Sequence, residues 1–270
     1  MIFACDLDQT LIYSRNSMGP IEEDELVPVE TYDGDYRSFM TRTANLYLQR
    51  LSQNILFVPT TTRIYEQYNR IFGLTEAYSI PSRYAIVSNG GKVLVDGKPD
   101  ADWEHRVRQA VLAKCAPHLE VKAIFDRLVS EDWVLKDRYC DDLFYSVIVR
   151  RDLLPAELME ELESRLRDLG WSSSLQGRKI YLVPDHVSKG SAVRYVKELS
   201  GSSFVFAAGD SLLDESMLEL ADEAMAPNHG ELYRKYGVHK HIGFTENSGI
   251  RASDEILARL TNRMEVRKAL

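Results

Sequence analysis

Short apolar runs, each followed at once by polar residues, occur at three widely separated places in the chain. They span residues 2–5 (IFAC), 55–58 (ILFV) and 203–208 (SFVFAA). Runs of this length and composition are typical of strands buried on both faces of a parallel sheet. Helical periodicity occurs between them, for example over residues 43–51 and 189–199. We therefore predict an α/β fold around a parallel sheet.

The middle of the chain has a different pattern, in which strands come in neighbouring pairs separated by helices. We expect strands at 84–88, 92–95, 133–136, 143–150, 172–175 and 179–183, and helices at 102–114, 119–130 and 155–169. Such a pattern indicates a smaller α+β domain. We predict a core domain made of residues 1–81 and 185–270, with an inserted domain at 82–184.

Three local features carry further predictions. Residues 27–41 read as a β-hairpin with its turn at Asp33-Gly34, and either a flap over a site or a plain surface hairpin fits it. We expect Thr62 to cap a helix that begins near Ile64, although it could also bind a ligand. Residues 253–270 are expected to form a surface helix capped by Ser253.

Composition and charge exclude several classes of function. The formal net charge is -8 and no basic cluster occurs, which argues against binding to nucleic acid or to a membrane surface. No run approaches the ~20 apolar residues of a membrane span, and charged residues interrupt the N-terminal run too early for a signal peptide. The three cysteines are far apart and lack metal-ligand spacing, which favours a reducing, cytoplasmic location.

Carboxylates follow two of the apolar runs directly. Asp6 and Asp8 end the first run, and Asp210 follows the last run after a glycine. Ligands bind at the carboxyl ends of strands in open α/β sheets, and neighbouring carboxylates repel unless a cation or a proton lies between them. The three acids predict an oxygen-rich pocket suited to Mg²⁺, whereas the first pair alone could also mark an Asx turn.

Basic and hydroxyl groups complete this pattern. The second run ends in three threonines and Arg63, which offer phosphate donors near a helix N-terminus. Lys189 stands at the start of a predicted helix, where the helix dipole disfavours a cation unless an anion is held there. A solvated surface lysine is the alternative when Lys189 is considered alone.

Four motifs in this order resemble the signatures of the haloacid dehalogenase-like hydrolases. They are DxDxT at 6–10, the threonine Thr61, the Lys189-Gly190 step, and GDSxxD at 209–214. The cap-sized gap between the second and third resembles the Cof-like branch, subfamily IIB, near sucrose-phosphate phosphatases and phosphomannomutases. The resemblance implies a Rossmann-like core with an inserted α/β cap that supplies specificity.

The resemblance also implies roles for individual residues. Asp6 would be the nucleophile and Asp8 the acid/base, while Thr61 and Lys189 would stabilise the phosphoryl group. Mg²⁺ would be held by Asp6, by the backbone carbonyl of Asp8 and by Asp210, with Asp214 and Ser211 in support. Substrate contacts would come from Thr10, Thr62, Arg63 and Asn89. Leu213 departs from the branch, which often has Asn there, so a polar contact could be missing or supplied by Ser211.

The leading functional prediction is a Mg²⁺-dependent phosphatase that acts on a sugar or polyol phosphate through an aspartyl-phosphate. Its partner would be a small-molecule phosphomonoester, and the oligomeric state is left open. Two alternatives remain at this stage. A phosphomutase of the phosphomannomutase type would use the same first residues, and a non-catalytic module would only bind a phosphorylated ligand.

Overall fold

A parallel sheet forms the centre of the first part of the fold in the computed structural model, which describes residues 1–71 and 82–268. Within these ranges, five strands are ordered β14-β13-β12-β1-β4. They are β1 (Ile2–Cys5), β4 (Leu56–Pro59), β12 (Val205–Ala208), β13 (Glu223–Ala226) and β14 (Ile242–Phe244). The first strand lies between β4 and β12, so all three apolar runs are neighbours, and the α/β prediction is confirmed.

Helices bury the apolar faces of this sheet. Phe3, Phe57 and Phe206 pack into one cluster with buried residues of α1 (Arg42–Ser52) and α9 (Arg251–Lys268). The other helices of this part are α2 (Tyr65–Tyr68), α6 (Lys189–Ser200), α7 (Glu215–Leu220) and α8 (Glu231–Tyr236). Helices α6 and α7 contact each other, and α7 also contacts β12 and β13.

Two of the local predictions about helix ends are wrong. Helix α9 begins at Arg251, so Ser253 lies inside it, where the Ser253 hydroxyl donates to the Ile250 carbonyl at 2.6 Å. Its residues Ile256, Leu257 and Leu260 belong to the sheet's apolar cluster, so α9 is a core helix. Thr62 caps nothing, because α2 begins only at Tyr65 after an extended Ile64.

The predicted hairpin is present as β2 (Leu26–Tyr32) and β3 (Asp35–Thr41). Its register shifts on both sides of Glu30, which pairs with Ser38. Val29 and Glu30 are both buried, although successive residues of a regular strand point to opposite faces. The irregularity turns the Glu30 side chain inward, as bulges do.

The contacts divide the chain into two compact units, Met1–Pro99 with Lys189–Leu270, and Asp100–Ser188. Strands β5 (Tyr84–Val87), β6 (Lys92–Val95) and β7 (Lys98–Pro99) therefore belong with the first unit. The reason is that β5 meets the end of β4 through a parallel bridge between Thr60 and Ile86. The sequence-based boundary at residue 82 would assign these strands to the insertion.

The second unit contains a four-stranded sheet in the order β10-β11-β9-β8. Its strands are β8 (Val134–Cys140), β9 (Phe144–Val149), β10 (Trp171–Gln176) and β11 (Lys179–Pro184). Its helices are α3 (Ala101–Lys114), α4 (His118–Asp126) and α5 (Leu158–Leu166). Buried residues of α4 and α5 form one cluster with alternate residues of β9 and β11, as a one-sided α+β layer requires.

A membrane-spanning helix is not found among the described residues, since none is both long and apolar enough.

Candidate active site

The ends of the neighbouring strands bring the predicted catalytic residues together. Cys5 is in register with both Pro59 and Ala208, so the residues that follow these three positions meet at one edge of the sheet. The Asp6 amide donates to the Ala208 carbonyl at 2.8 Å, which fixes the backbone of Asp6 beside the Asp210 loop. Asp6 and Asp210 are only 5% and 7% exposed, so their carboxylates are largely removed from water.

Lys189 lies between the carboxylates of Asp6 and Asp214. Its ammonium group donates to Asp6 Oδ1 at 2.6 Å and to Asp214 Oδ1 at 2.5 Å. The lysine is 1% exposed, which excludes the solvated alternative. Burial lowers the pKa of Lys189, but the Asp214 and Asp6 charges together outweigh it and raise this pKa, so the ammonium stays charged.

The negative charge of this cluster exceeds its positive charge. Carboxylate oxygens of Asp6, Asp210 and Asp214 all lie within 4.8 Å of one another, and Lys189 supplies one positive charge to the three of them. Burial is the main cause that raises the pKa of Asp6 to about 7, and it also raises the pKa of Asp210. With all three carboxylates ionised, the cluster would carry two uncompensated negative charges, and these charges with a set of hard oxygen ligands fit a divalent cation such as Mg²⁺.

Asp214 is braced by the loop that carries it. Its Oδ2 accepts from the Ser211 amide at 2.9 Å and from the Ser211 hydroxyl at 2.8 Å. Gly209 permits this packing, because a Cβ there would lie 2.5 Å from Asp214 Cβ. Ser211 therefore holds Asp214 with two hydrogen bonds, although Leu213 replaces the polar residue common in the resembling branch.

Asp8 lies in a separate ion-pair network. Arg63 Nε and Nη2 each bond one Asp8 carboxylate oxygen at 2.7 Å, in a bidentate geometry. Arg63 Nη1 donates to Glu30 Oε1 at 2.7 Å. The Asp8 side chain is 48% exposed, and Asp8 is not part of the carboxylate group around Asp6. The structure thus directs Arg63, predicted to contact substrate, at two carboxylates of the protein.

The threonines differ in their surroundings. Thr10 and Thr61 are fully buried, and the Thr10 hydroxyl is among the buried polar atoms without a hydrogen-bond partner in the described residues. The Thr61 hydroxyl accepts from the Arg63 amide at 3.1 Å, which orients it at the end of β4. Thr62 is half-buried. An orphaned hydroxyl two residues after Asp8 fits a site that receives an oxygen-rich group.

Asn89 lies in an unusual turn next to Thr61. Ser88, Asn89 and Gly90 all have left-handed backbone angles, with φ of 54°, 57° and 93°. The Asn89 amide donates to the Thr61 carbonyl at 3.0 Å. Such angles are disfavoured for Ser and Asn and persist where the surroundings impose them, often at functional sites.

Sequence reasoning missed several residues that shape this site. Glu30 and Ser38 reach Arg63 from the hairpin, and only the register irregularity, which has no clear sequence signal, places them there. Tyr13 and His229 both bond the carbonyl of Gln9, the left-handed residue after Asp8. His229 Nδ1 accepts from the Gly249 amide, so the ring is neutral, and burial lowers its pKa.

Comparison with known proteins assigns the class. Residues 104–251, more than half of the chain, match the profile of the haloacid dehalogenase-like hydrolases. The matched range includes Lys189, Asp210 and Asp214, whereas Asp6 and Asp8 lie before it. The chain therefore belongs to the haloacid dehalogenase-like hydrolases and is an enzyme, and the inserted unit fits the Cof-like branch. No curated protein matches the sequence.

Solved structures share this fold at low sequence identity. The sucrose-phosphatase of Synechocystis, solved with sucrose and phosphate, is 14% identical with a TM-score of 0.67, covering 96% of this chain and 97% of that one. A haloacid dehalogenase-like hydrolase from Bacteroides thetaiotaomicron is 15% identical with a TM-score of 0.57, covering 96% of this chain and 98% of that one. A trehalose-6-phosphate phosphatase related protein is 17% identical with a TM-score of 0.52, covering 99% of this chain and 100% of that one. The likeness establishes the fold.

Proposed function

We propose that the protein is a Mg²⁺-dependent phosphatase of small phosphomonoesters that works through an aspartyl-phosphate. The observation that carries this proposal is the buried cluster at the sheet edge, in which Lys189 joins Asp6 to Asp214 while Asp210 lies within 4.8 Å. A carboxylate next to a fixed cation, at the place where α/β sheets bind ligands, suits nucleophilic attack on a phosphate.

The residues present fit a divalent metal ion. Asp6, Asp210 and the backbone carbonyl of Asp8 would hold it, and Asp214 contributes a third carboxylate within reach. When bound, Mg²⁺ would offset the negative charge of the phosphate and of the nucleophile, which otherwise repel each other. The uncompensated charge of the cluster supports this assignment.

The two aspartates divide the chemistry between them. An Asp6 carboxylate oxygen forms a bond to phosphorus as the bond to the ester oxygen breaks, and Asp8 gives its proton to the departing alkoxide. In the second half, Asp8 takes a proton from water, the water oxygen bonds to phosphorus, and the Asp6–phosphorus bond breaks. Phosphate leaves, and both carboxyl groups return to their starting state.

Lys189 and Thr61 would stabilise the charge on the transferring group. Both are buried and held by other residues, Lys189 by two carboxylates and Thr61 by the Arg63 amide. Fixed donors need no reorganisation as charge develops in the transition state, so such stabilisation is effective. The orphaned Thr10 hydroxyl would be a further donor.

We propose a sugar or polyol phosphate as the substrate class. This rests on the fold, which is shared with a sucrose-phosphatase and with a trehalose-6-phosphate phosphatase related protein. A cytoplasmic location is part of the proposal, since Cys5, Cys115 and Cys140 are all free thiols, as is usual in reducing compartments.

Phosphate release from a panel of sugar, polyol and nucleotide monophosphates tests the proposal. Each substrate is assayed with Mg²⁺ and with EDTA, over many turnovers and without a bisphosphate activator. We expect release that EDTA abolishes and Mg²⁺ restores. Retention of the phosphoryl group with isomerisation of the sugar phosphate would indicate a mutase. Absence of release throughout, with Mg²⁺ still bound, would contradict the phosphatase.

A further inference from the structure

The guanidinium of Arg63 lies between the carboxylates of Asp8 and Glu30. Nε and Nη2 bond Asp8, while Nη1 and Nη2 bond Glu30 Oε1 and Oε2 at 2.7 and 3.0 Å. Glu30 Oε2 also accepts from the Ser38 hydroxyl at 2.5 Å. The result is a chain of polar contacts from the hairpin, through Arg63, to the proposed acid/base.

Burial decreases steadily along this chain. The side chains of Glu30, Arg63 and Asp8 are 8%, 14% and 48% exposed. The Glu30–Arg63 pair is therefore the fixed part, and Asp8 is the member that reaches solvent. A planar guanidinium with two donors on each carboxylate fixes the planes of both groups.

We propose that Glu30 is a positioning residue for Asp8 that acts through Arg63. This inference rests on the proposed function, in which Asp8 protonates the leaving group. Glu30 and Ser38 set the plane of the guanidinium, and the guanidinium sets the direction of the Asp8 carboxylate. The register around Glu30 is irregular and turns this charged side chain inward. In the proposed role, this direction serves catalysis because it places Glu30 against Arg63.

The role has a kinetic signature that a purely structural ion pair would lack. An alkyl phosphate releases a poor leaving group that needs the Asp8 proton, whereas 4-nitrophenyl phosphate releases a stable phenolate that hardly needs it. Because kcat/KM includes only the steps up to departure of the alcohol, it isolates this proton transfer from later hydrolysis. A misdirected Asp8 should therefore impair kcat/KM for alkyl phosphates selectively.

The test compares Glu30→Gln with the unmodified protein on glycerol 3-phosphate and on 4-nitrophenyl phosphate, both with saturating Mg²⁺. Gln keeps the shape of Glu30 but offers one acceptor oxygen to Arg63 instead of two. We expect kcat/KM for the alkyl phosphate to fall about tenfold or more, and that for the aryl phosphate to change by less than about twofold.

Asp35→Asn serves as the matched control. Asp35 is an acidic residue at the start of β3, in the same hairpin. Its ion pair with Arg37, at 3.1 Å, is exposed to solvent. This variant should leave both substrates unaffected. Ser38→Ala should give a smaller selective loss than Glu30→Gln, and it provides the test if Glu30→Gln does not fold.

The outcomes distinguish the positioning role of Glu30 from the phosphatase activity. An equal loss on both substrates, or no loss on either, would overturn the positioning role while leaving the phosphatase intact. If the unmodified protein released phosphate from neither substrate nor from the wider panel, the proposed function would fail, and the positioning role with it.

Discussion

Asp6 and Asp8 are two residues apart, yet their surroundings are opposite. The Asp6 side chain is 7% exposed and bonds Lys189, whereas that of Asp8 is 48% exposed and bonds Arg63. In each region one cation lies between two carboxylates, with Asp214 as the second in one and Glu30 in the other. Environment of this kind assigns different tasks to chemically identical groups.

The buried region differs in having a third carboxylate. Asp210 adds a negative charge that Lys189 does not compensate, while the region around Asp8 and Glu30 is partly open to water. The excess charge calls for a cation or protons in the first region only. The comparison therefore predicts where a metal belongs, and it supports the proposal that Asp6 attacks phosphorus while Asp8 transfers the proton.

Replacement of Asp6 should give the largest effect. We expect Asp6→Asn to lower turnover at least about 10³-fold on every substrate, because the amide cannot form the phosphoryl bond. Phosphate release measures the loss, and circular dichroism tests that the fold is kept. Retention of most activity would remove Asp6 as the nucleophile.

Replacement of Asp8 should be severe but selective. We expect Asp8→Asn to lower kcat/KM for alkyl phosphates about 10² to 10⁴-fold, the usual contribution of a general acid, with a much smaller loss for 4-nitrophenyl phosphate. Initial rates of alcohol or nitrophenol release provide the measurement. If kcat/KM fell by the same factor for both substrates, Asp8 would not be the proton donor.

Replacement of Lys189 tests how much its charge stabilises the buried region. Lys189→Met should lower the free energy of unfolding by about 3–5 kcal/mol near neutral pH, because Asp6 and Asp214 lose their buried counter-charge. Denaturant titration measures the change. Lys240→Met, at an exposed lysine of the same unit, is the control and should change stability by less than about 0.5 kcal/mol.

The sequence predicts the buried region and the hairpin's two strands, but it does not predict the direction of the Glu30 side chain. Apolar runs that end in carboxylates indicate parallel strands, and the sheet then brings Asp6 and Asp210 together by register alone. No comparable rule exists for Glu30, whose inward direction depends on an irregular pairing with β3. A regular alternation would have placed Glu30 on the face opposite to the buried Val29.

Arg63 and α9 both show where prediction from the sequence reaches its limit. Spacing places Arg63 at the site but cannot say whether its donors face a ligand or other side chains, which is settled by tertiary contacts. The C-terminal segment reads as a surface helix because it is rich in charge, yet Ile256, Leu257 and Leu260 form a narrow buried stripe. In both cases long-range packing decides between two locally acceptable outcomes, and only the prediction of a surface helix is wrong.

The pH dependence of stability should give the smallest of these effects when it is measured over a single pH unit. Burial is the main cause that raises the pKa of Asp6 to about 7 in the metal-free protein, with Asp214 and Asp8 adding to it and Lys189 opposing it. The unfolded chain has an ordinary Asp pKa near 4, so between about pH 4 and 7 the folded state keeps a proton that the unfolded state has lost. This contribution to stability is complete below pH 4 and is lost as pH rises to 7, by at most about 1.4 kcal/mol per pH unit.

Urea titrations of the protein in EDTA, at intervals from pH 5 to 8, would show this decline, while saturating Mg²⁺ should offset it because a metal ion replaces the protons of the cluster. Asp6→Asn removes one of the titrating groups, so its decline with pH should be shallower than that of the unmodified protein in EDTA. A flat profile for the unmodified metal-free protein would mean that Lys189 fully compensates the cluster, and the charge argument for a metal at Asp6 and Asp210 would then lose its basis.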